Sequence, residues 1–134
     1  MLKTTFENLN FLGRALDGSW LKNSAIANNI ANSETPGYKR QTVNFEDVLQ
    51  KEVNAAQSVS MVKTNAKHLD APNASSNGFT VETESSTSYR VDENNVDVDV
   101  ENAEMAKNTL YYNSLVNEVN SQYTRLKTAM KINE

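Results

Sequence analysis

Apolar residues recur in alternating steps of three and four at both ends of the chain. Toward the amino end the row runs Leu2, Thr5, Leu9, Leu12, Leu16, Ser19, Asn23, Ile26, Ile30, flanked by Phe6, Trp20 and Ala27, with no proline between residues 5 and 32. Such a row occupies one face of a helix, so the pattern predicts a long amphipathic helix. Gly13 and Gly18 each weaken that helix by about 1 kcal/mol relative to alanine. Ser19 and Asn23 also put polar groups on the seam, and the helix therefore needs a partner to be rigid. The carboxyl end supplies a second row, Met105, Thr109, Tyr112, Val116, Val119, Tyr123, Leu126, Met130, at coiled-coil spacing. Acidic groups gather at its start, where Asp99 is the predicted cap and Glu101 and Glu104 face the positive end of the helix dipole. Lys127 and Lys131 fall in its last turns, where cations are favoured.

The middle has another character. Residues 70 to 78, Asp-Ala-Pro-Asn-Ala-Ser-Ser-Asn-Gly, are turn formers and predict a loop. Phe79 to Thr83 and Ser88 to Val91 are short β-branched or aromatic runs, which predict a small hairpin. Val96, Val98 and Val100 alternate with Asp97, Asp99 and Glu101, an extended pattern leading into the last helix. The predicted fold is mainly α: two long terminal helices forming a coiled-coil-like pair, with a loop and small β-hairpin between them. Residues 1–40 hold the first helix and a turn, 41–100 a connecting region with a short helix, loop and hairpin, and 101–134 the heptad helix.

Composition narrows the function. Hydrophobic residues make up 38% and aromatic residues 7% of the 134, lean for a chain that must bury its own core, so association with copies or partners is expected to complete the burial. With no cysteine and a single histidine, His68, nucleophilic triads and zinc sites have few candidates, and no cofactor or small-molecule substrate is expected. The oxygen-rich run from Asp92 to Glu101 does not fit a calcium loop, because Asp97 stands where the turn glycine belongs and Ala103 where the bidentate glutamate belongs. Asn73-Ala74-Ser75 matches a glycosylation acceptor, a three-residue pattern that arises often by chance. The net charge of −4 is patterned: residues 82 to 104 carry eight acidic and one basic group. That middle repels phosphate and neither end has a dense basic stripe, so nucleic acid is not an expected partner. No apolar run approaches the length of a membrane span, and Met1-Leu2-Lys3-Thr4-Thr5 lacks the apolar core of a secretory signal.

The first helix ends in Ala27-Asn28-Asn29-Ile30-Ala31-Asn32-Ser33-Glu34-Thr35-Pro36-Gly37-Tyr38-Lys39. Asn32 suits a left-handed C-terminal cap, and Thr35-Pro36-Gly37-Tyr38 suits a type II turn with glycine at the position of positive φ. Beyond that physics, the thirteen residues closely resemble the amino-terminal signature of bacterial flagellar axial proteins, the rod and hook family. Asn95-Val96-Asp97-Val98-Asp99-Val100-Glu101, leading into Glu104-Met105-Ala106-Lys107-Asn108, is similar to the family's other end. The short length and Asn44-Phe45-Glu46-Asp47-Val48-Leu49 resemble its proximal rod subunits. Residues 54 to 91 carry no such match.

The resemblance implies a structural subunit of the basal-body rod that polymerises through its terminal helices and catalyses nothing. Its implied partners are other rod subunits and itself, the membrane-embedded base ring with its adaptor, and the flagellar type III export apparatus, by which it would leave the cytoplasm without a cleaved signal. The assembly seam is expected at Leu9, Leu12, Leu16, Ile26 and Ile30 on the first helix. On the last helix it is expected at Met105, Tyr112, Val116, Val119, Tyr123, Leu126 and Met130. Phe45 and Leu49, an aromatic and an aliphatic residue four apart just beyond the turn, match the position and spacing of a family export signal, although one helical turn packing against a terminal helix explains the pair equally well. The alternative from another class is a soluble coiled-coil export chaperone or adaptor, which would stay monomeric or dimeric.

Overall fold

A computed structural model describes residues 2–57, 78–85 and 93–131. In chain order these form α1 (Leu2–Ala31), β1 (Gln41–Val43), α2 (Phe45–Gln57), β2 (Val81–Thr83) and α3 (Val98–Lys131). Ser19 meets Asn108 and Asn29 meets Glu101, so numbering rises along α1 as it falls along α3 and the two long helices run antiparallel.

The predicted α1 seam is turned inward, with Ser19 and Ile26 buried and Leu9, Leu12, Leu16, Asn23 and Ile30 half-buried. A second stripe, Ala15, Gly18, Ala25 and Asn29, is also buried and faces β1 and α2. Gly18 in this stripe must be small because Phe45 lies directly upon it. A Cβ added at Gly18 would sit 2.8 Å from Phe45 Cβ, so this glycine serves close approach rather than helix weakness. Phe45 is fully buried, its ring edge-on to Phe79 at 6.2 Å and tilted against Tyr111 at 5.8 Å. With Ala15, Ala25, Val43 and Leu49 it makes the core.

On α3 the row Met105, Tyr112, Val119, Leu126 is half-buried, as is Val116, but Tyr123 and Met130 are 59% and 67% exposed. The other row facing inward is Glu101, Asn108, Leu115 and Gln122, which an apolar count overlooks because most of it is polar.

Three local expectations are corrected. Asp97, not Asp99, caps α3: its Oδ1 accepts from Asp99 N at 3.0 Å and Val100 N at 3.4 Å. Residues 98 to 100 are therefore helical rather than extended, with Val98 and Val100 exposed and only Val96 buried. The Asp97 cap prevails over the β propensity of the valines. Asn32 is not left-handed, since only Glu93 and Gly37 among the described residues take positive φ. The helix instead tightens, Asn32 N donating to both Asn28 O and Asn29 O and Ser33 N to Ile30 O. The strand at Val81–Thr83 exists and pairs antiparallel with Gln41–Val43, Thr42 opposite Glu82. Ser88 to Val91, the loop before Gly78, His68 and Asn73 lie outside the described residues.

Candidate functional site

Where α1 ends and α3 begins, polar side chains are buried in unusual number for so small a core. Asn29, Asn94, Asn95 and Glu101 are all under 5% exposed. Burying such groups costs free energy unless each finds a partner, and among the described residues no buried side-chain nitrogen or oxygen lacks one.

Asn29 is the hub. Its amide accepts from Gln41 N at 2.8 Å and donates to Gln41 O at 2.8 Å, occupying the edge of β1 as a neighbouring strand would. The same amide donates to Glu101 Oε2 at 3.1 Å and accepts from the Tyr38 hydroxyl at 3.2 Å, so all four of its hydrogen-bonding positions are used. On the opposite edge Glu84 N donates to Arg40 O at 2.9 Å, and Asn95 fills the place of the missing reciprocal rung. It accepts from Arg40 N at 2.7 Å and donates to Glu84 O at 2.9 Å. Asn94 holds the turn itself, its Nδ2 lying 2.9 to 3.1 Å from the carbonyls of Asn32, Ser33 and Thr35 while its Oδ1 accepts from Val96 N.

The turn forms as its residues require. Tyr38 N donates to Thr35 O at 3.3 Å and Gly37 has φ 71°, the type II geometry. Ala27, Asn28, Ala31, Thr35, Pro36 and Gly37 are exposed, whereas Asn29 is buried and Ile30, Asn32 and Tyr38 are partly so. The thirteen-residue motif is thus divided between an inner clasp and an outer surface.

Charge completes the junction. Arg40 Nε donates to Glu101 Oε1, and its Nη1 stands 3.7 Å from Glu84 Oε2. Burial works to lower the Arg40 guanidinium, but the hydrogen bond and charge of Glu101, helped by Glu84 and Glu104, hold it above its ordinary value. Burial, then the Glu101 charge, raises the Tyr38 phenol. Farther along, Lys22 bridges Glu46 at 2.9 Å and Glu104 at 3.5 Å. Burial would raise the Glu104 carboxyl, yet the charges and hydrogen bonds of Lys22 and Lys107 carry it below its usual range. Deeper in the helix pair Asn108 donates to Ser19 O at 2.8 Å and to Asn23 Oδ1 at 2.9 Å. These groups are paired and fixed, an arrangement suited to holding segments together. Among the described residues no group of three His, Cys, Asp or Glu could hold a metal ion.

The structure brings the family-motif residues and the start of α3 into one clasp. It sends Tyr123 and Met130 outward and places Phe45 and Leu49 in the core. Sequence reasoning missed Asn94, Asn95 and Asn108. For Asn108 the available signal was an asparagine inside a helix, where its intrinsic propensity is poor and a side-chain bond must compensate; Asn94 and Asn95 precede α3 and carry no such signal.

A family model described as flagella basal body rod protein matches residues 9–39. The chain is 36% identical over 126 residues to the flagellar basal body rod protein FlgB of Bacillus subtilis (strain 168), spanning 94% of this chain and 92% of that protein. To FlgB of Aeromonas hydrophila it is 33% identical over 110 residues, 79% of each chain. To FlgB of Borrelia hermsii it is 34% identical over 116 residues, 78% of this chain and 81% of the other.

Proposed function

The chain belongs to the flagellar basal body rod protein FlgB family, a structural subunit that assembles with other rod subunits in the basal body, and from that premise we propose that it does so through the outer faces of α1 and α3. The observation that carries this reading is where the large apolar residues remain exposed. Phe6 and Trp20 on α1 and Leu110, Tyr123 and Met130 on α3 are each 56% exposed or more. Apolar surface of that kind on two long helices, over a core too small for the chain, calls for burial against neighbours. The seam residues Leu9, Leu12, Leu16, Ile26, Ile30, Met105, Tyr112, Val116, Val119 and Leu126 hold the two helices as a unit, and Tyr123 and Met130 extend it outward. Nothing favours the chaperone alternative.

Further partners follow from the same reading: the membrane-embedded base ring with its adaptor, and the type III export apparatus. Phe45 and Leu49 are both buried once the chain has folded, so a role in export requires recognition before folding, each side chain contributing about 1.5–3 kcal/mol in a groove of the gate. Among the described residues no helix is long and apolar enough to cross a membrane.

The deciding experiment is complementation of a strain lacking its own subunit. Tyr123→Asp and Met130→Asp chains should be exported but absent from purified basal bodies, because assembly would bury an unpaired charge at a cost on the order of several kcal/mol. Motile cells carrying either chain in their rods would defeat the reading. Phe45→Ala and Leu49→Ala chains should accumulate inside the cell; normal secretion with a weakened rod would leave packing as their whole role.

A further inference from the structure

Between α3 and the start of α2 lies an open groove of about 710 Å³. Leu110, Tyr111 and Ser114 form its α3 wall, and Lys22, Glu46 and Lys107 its rim. Leu110 is 70% exposed and Tyr111 41%, so the wall presents apolar surface to solvent. Lys22 is engaged with Glu46 and Glu104, whereas Lys107 is 73% exposed and its contact with Glu104 is a long 3.6 Å. The groove thus combines an apolar wall, ample room for a planar side chain and two lysines at the mouth, of which Lys107 is the solvent-exposed one.

The chain carries a single tryptophan, Trp20, and it is 66% exposed. At 100° per residue Trp20 lies about 160° around α1 from both Gly18 and Lys22. Those two residues face Phe45, Gly18 in direct contact and Lys22 over its ring at 5.7 Å. Trp20 therefore projects from the side of the molecule opposite the groove, with exposed Asp17 one turn before it on the same surface.

Resting on the rod-subunit reading above, we infer that Trp20 of one copy seats in the Leu110–Tyr111 groove of the next. The indole buries against Leu110 and Tyr111, Lys107 lies over its face as a cation–π partner, and Asp17 meets the same lysine across the contact. An aromatic anchor in an apolar pocket with a paired charge at the rim is the usual centre of a strong interface. Knob and groove occupy opposite sides of one chain, so the contact is heterologous. Repetition adds copies without closing a pair, as an open helical polymer needs.

Because the chain has no cysteine, two exposed serines provide the test. Full-length Ser24→Cys and Ser114→Cys chains, which keep Trp20, are polymerised singly and mixed, then treated with a short thiol-reactive cross-linker. Heterodimers from the mixture, no dimers from either variant alone, and a ladder of multimers from the double variant are expected. In the unsubstituted chain Trp20 emission should move to shorter wavelength and lose acrylamide quenching on polymerisation, and Leu110→Lys should abolish both changes. Dimers from Ser24→Cys alone would set Trp20 against its own copy and overturn the inference. Sedimenting polymers with neither cross-link nor emission shift would overturn it and leave the rod-subunit reading standing. Chains that never sediment, alone or with other rod subunits, would overturn both.

Discussion

Replacing Asn29 by alanine tests whether the clasp is what fixes the chain's exit from α1. The amide is fully buried and serves Gln41 N, Gln41 O, Glu101 and the Tyr38 hydroxyl at 2.8 to 3.2 Å. Truncation affects these four unequally. The Tyr38 ring is only partly buried and its hydroxyl can turn to water, while Glu101 keeps Arg40. The cost therefore falls on the backbone N–H and C=O of Gln41, at about 1–3 kcal/mol for each buried group left unpaired. A loss of about 3 kcal/mol is expected, a large part of the roughly 5–15 kcal/mol by which domains are stable. Urea unfolding followed by far-UV ellipticity should show a lower midpoint at unchanged slope. Asn29→Asp keeps both acceptors but loses both donors and brings a carboxylate against Glu101, so near neutral pH it should be at least as damaging. A loss below about 1 kcal/mol for the alanine variant, or an aspartate variant as stable as the parent at neutral pH, would refute the role assigned to this amide.

Two glycines of α1 should respond oppositely to alanine. Gly18→Ala sets a Cβ 2.8 Å from Phe45 Cβ and should lose about 1–3 kcal/mol to overpacking, outweighing its propensity gain. Gly13→Ala meets nothing within 4 Å and should gain about 1 kcal/mol; equal urea midpoints for the two would sink the packing argument. Glu104 is held below its usual range by Lys22 and Lys107 against the opposing effect of burial, so its contribution is complete above the unfolded value of about 4.3 and fades as pH falls through the lower folded value. Glu104→Gln should accordingly flatten the acid limb of a stability-against-pH curve, and an unchanged limb would remove Glu104 from it. Gly37→Val forces a β-branched residue to φ 71°, costing on the order of 1–3 kcal/mol; the variant should be exported yet poorly incorporated, as immunoblots of secreted and basal-body fractions would show.

What was legible in the sequence follows one physical distinction, whether a feature repeats locally or arises only when distant segments meet. The helices were legible because their apolar rows recur within each segment, and the turn because Pro36 fixes its own φ and Gly37 tolerates the positive φ that follows. The cap of α3 was misplaced by two residues because Val-Asp alternation suggests a strand until the Asp97 side chain is seen reaching back to the following amides. The pairing of Val81–Thr83 with Gln41–Val43 was not legible, because the two segments lie some forty residues apart in the chain. Hardest to read was the clasp, whose members are spread over residues 29, 38 to 41, 84, 94, 95 and 101. Asparagine amides explain how so short a sheet persists there. A two-stranded ribbon is marginal in water, yet β1 is paired on one edge by β2 and the Asn95 rung and on the other by Asn29. The asparagines do for β1 what further strands would do in a larger domain, and they do so only when α1 and the start of α3 are both in place. A chain built this way can keep a small core, leave the outer faces of its long helices for neighbouring subunits, and still fix the direction in which its middle segment departs.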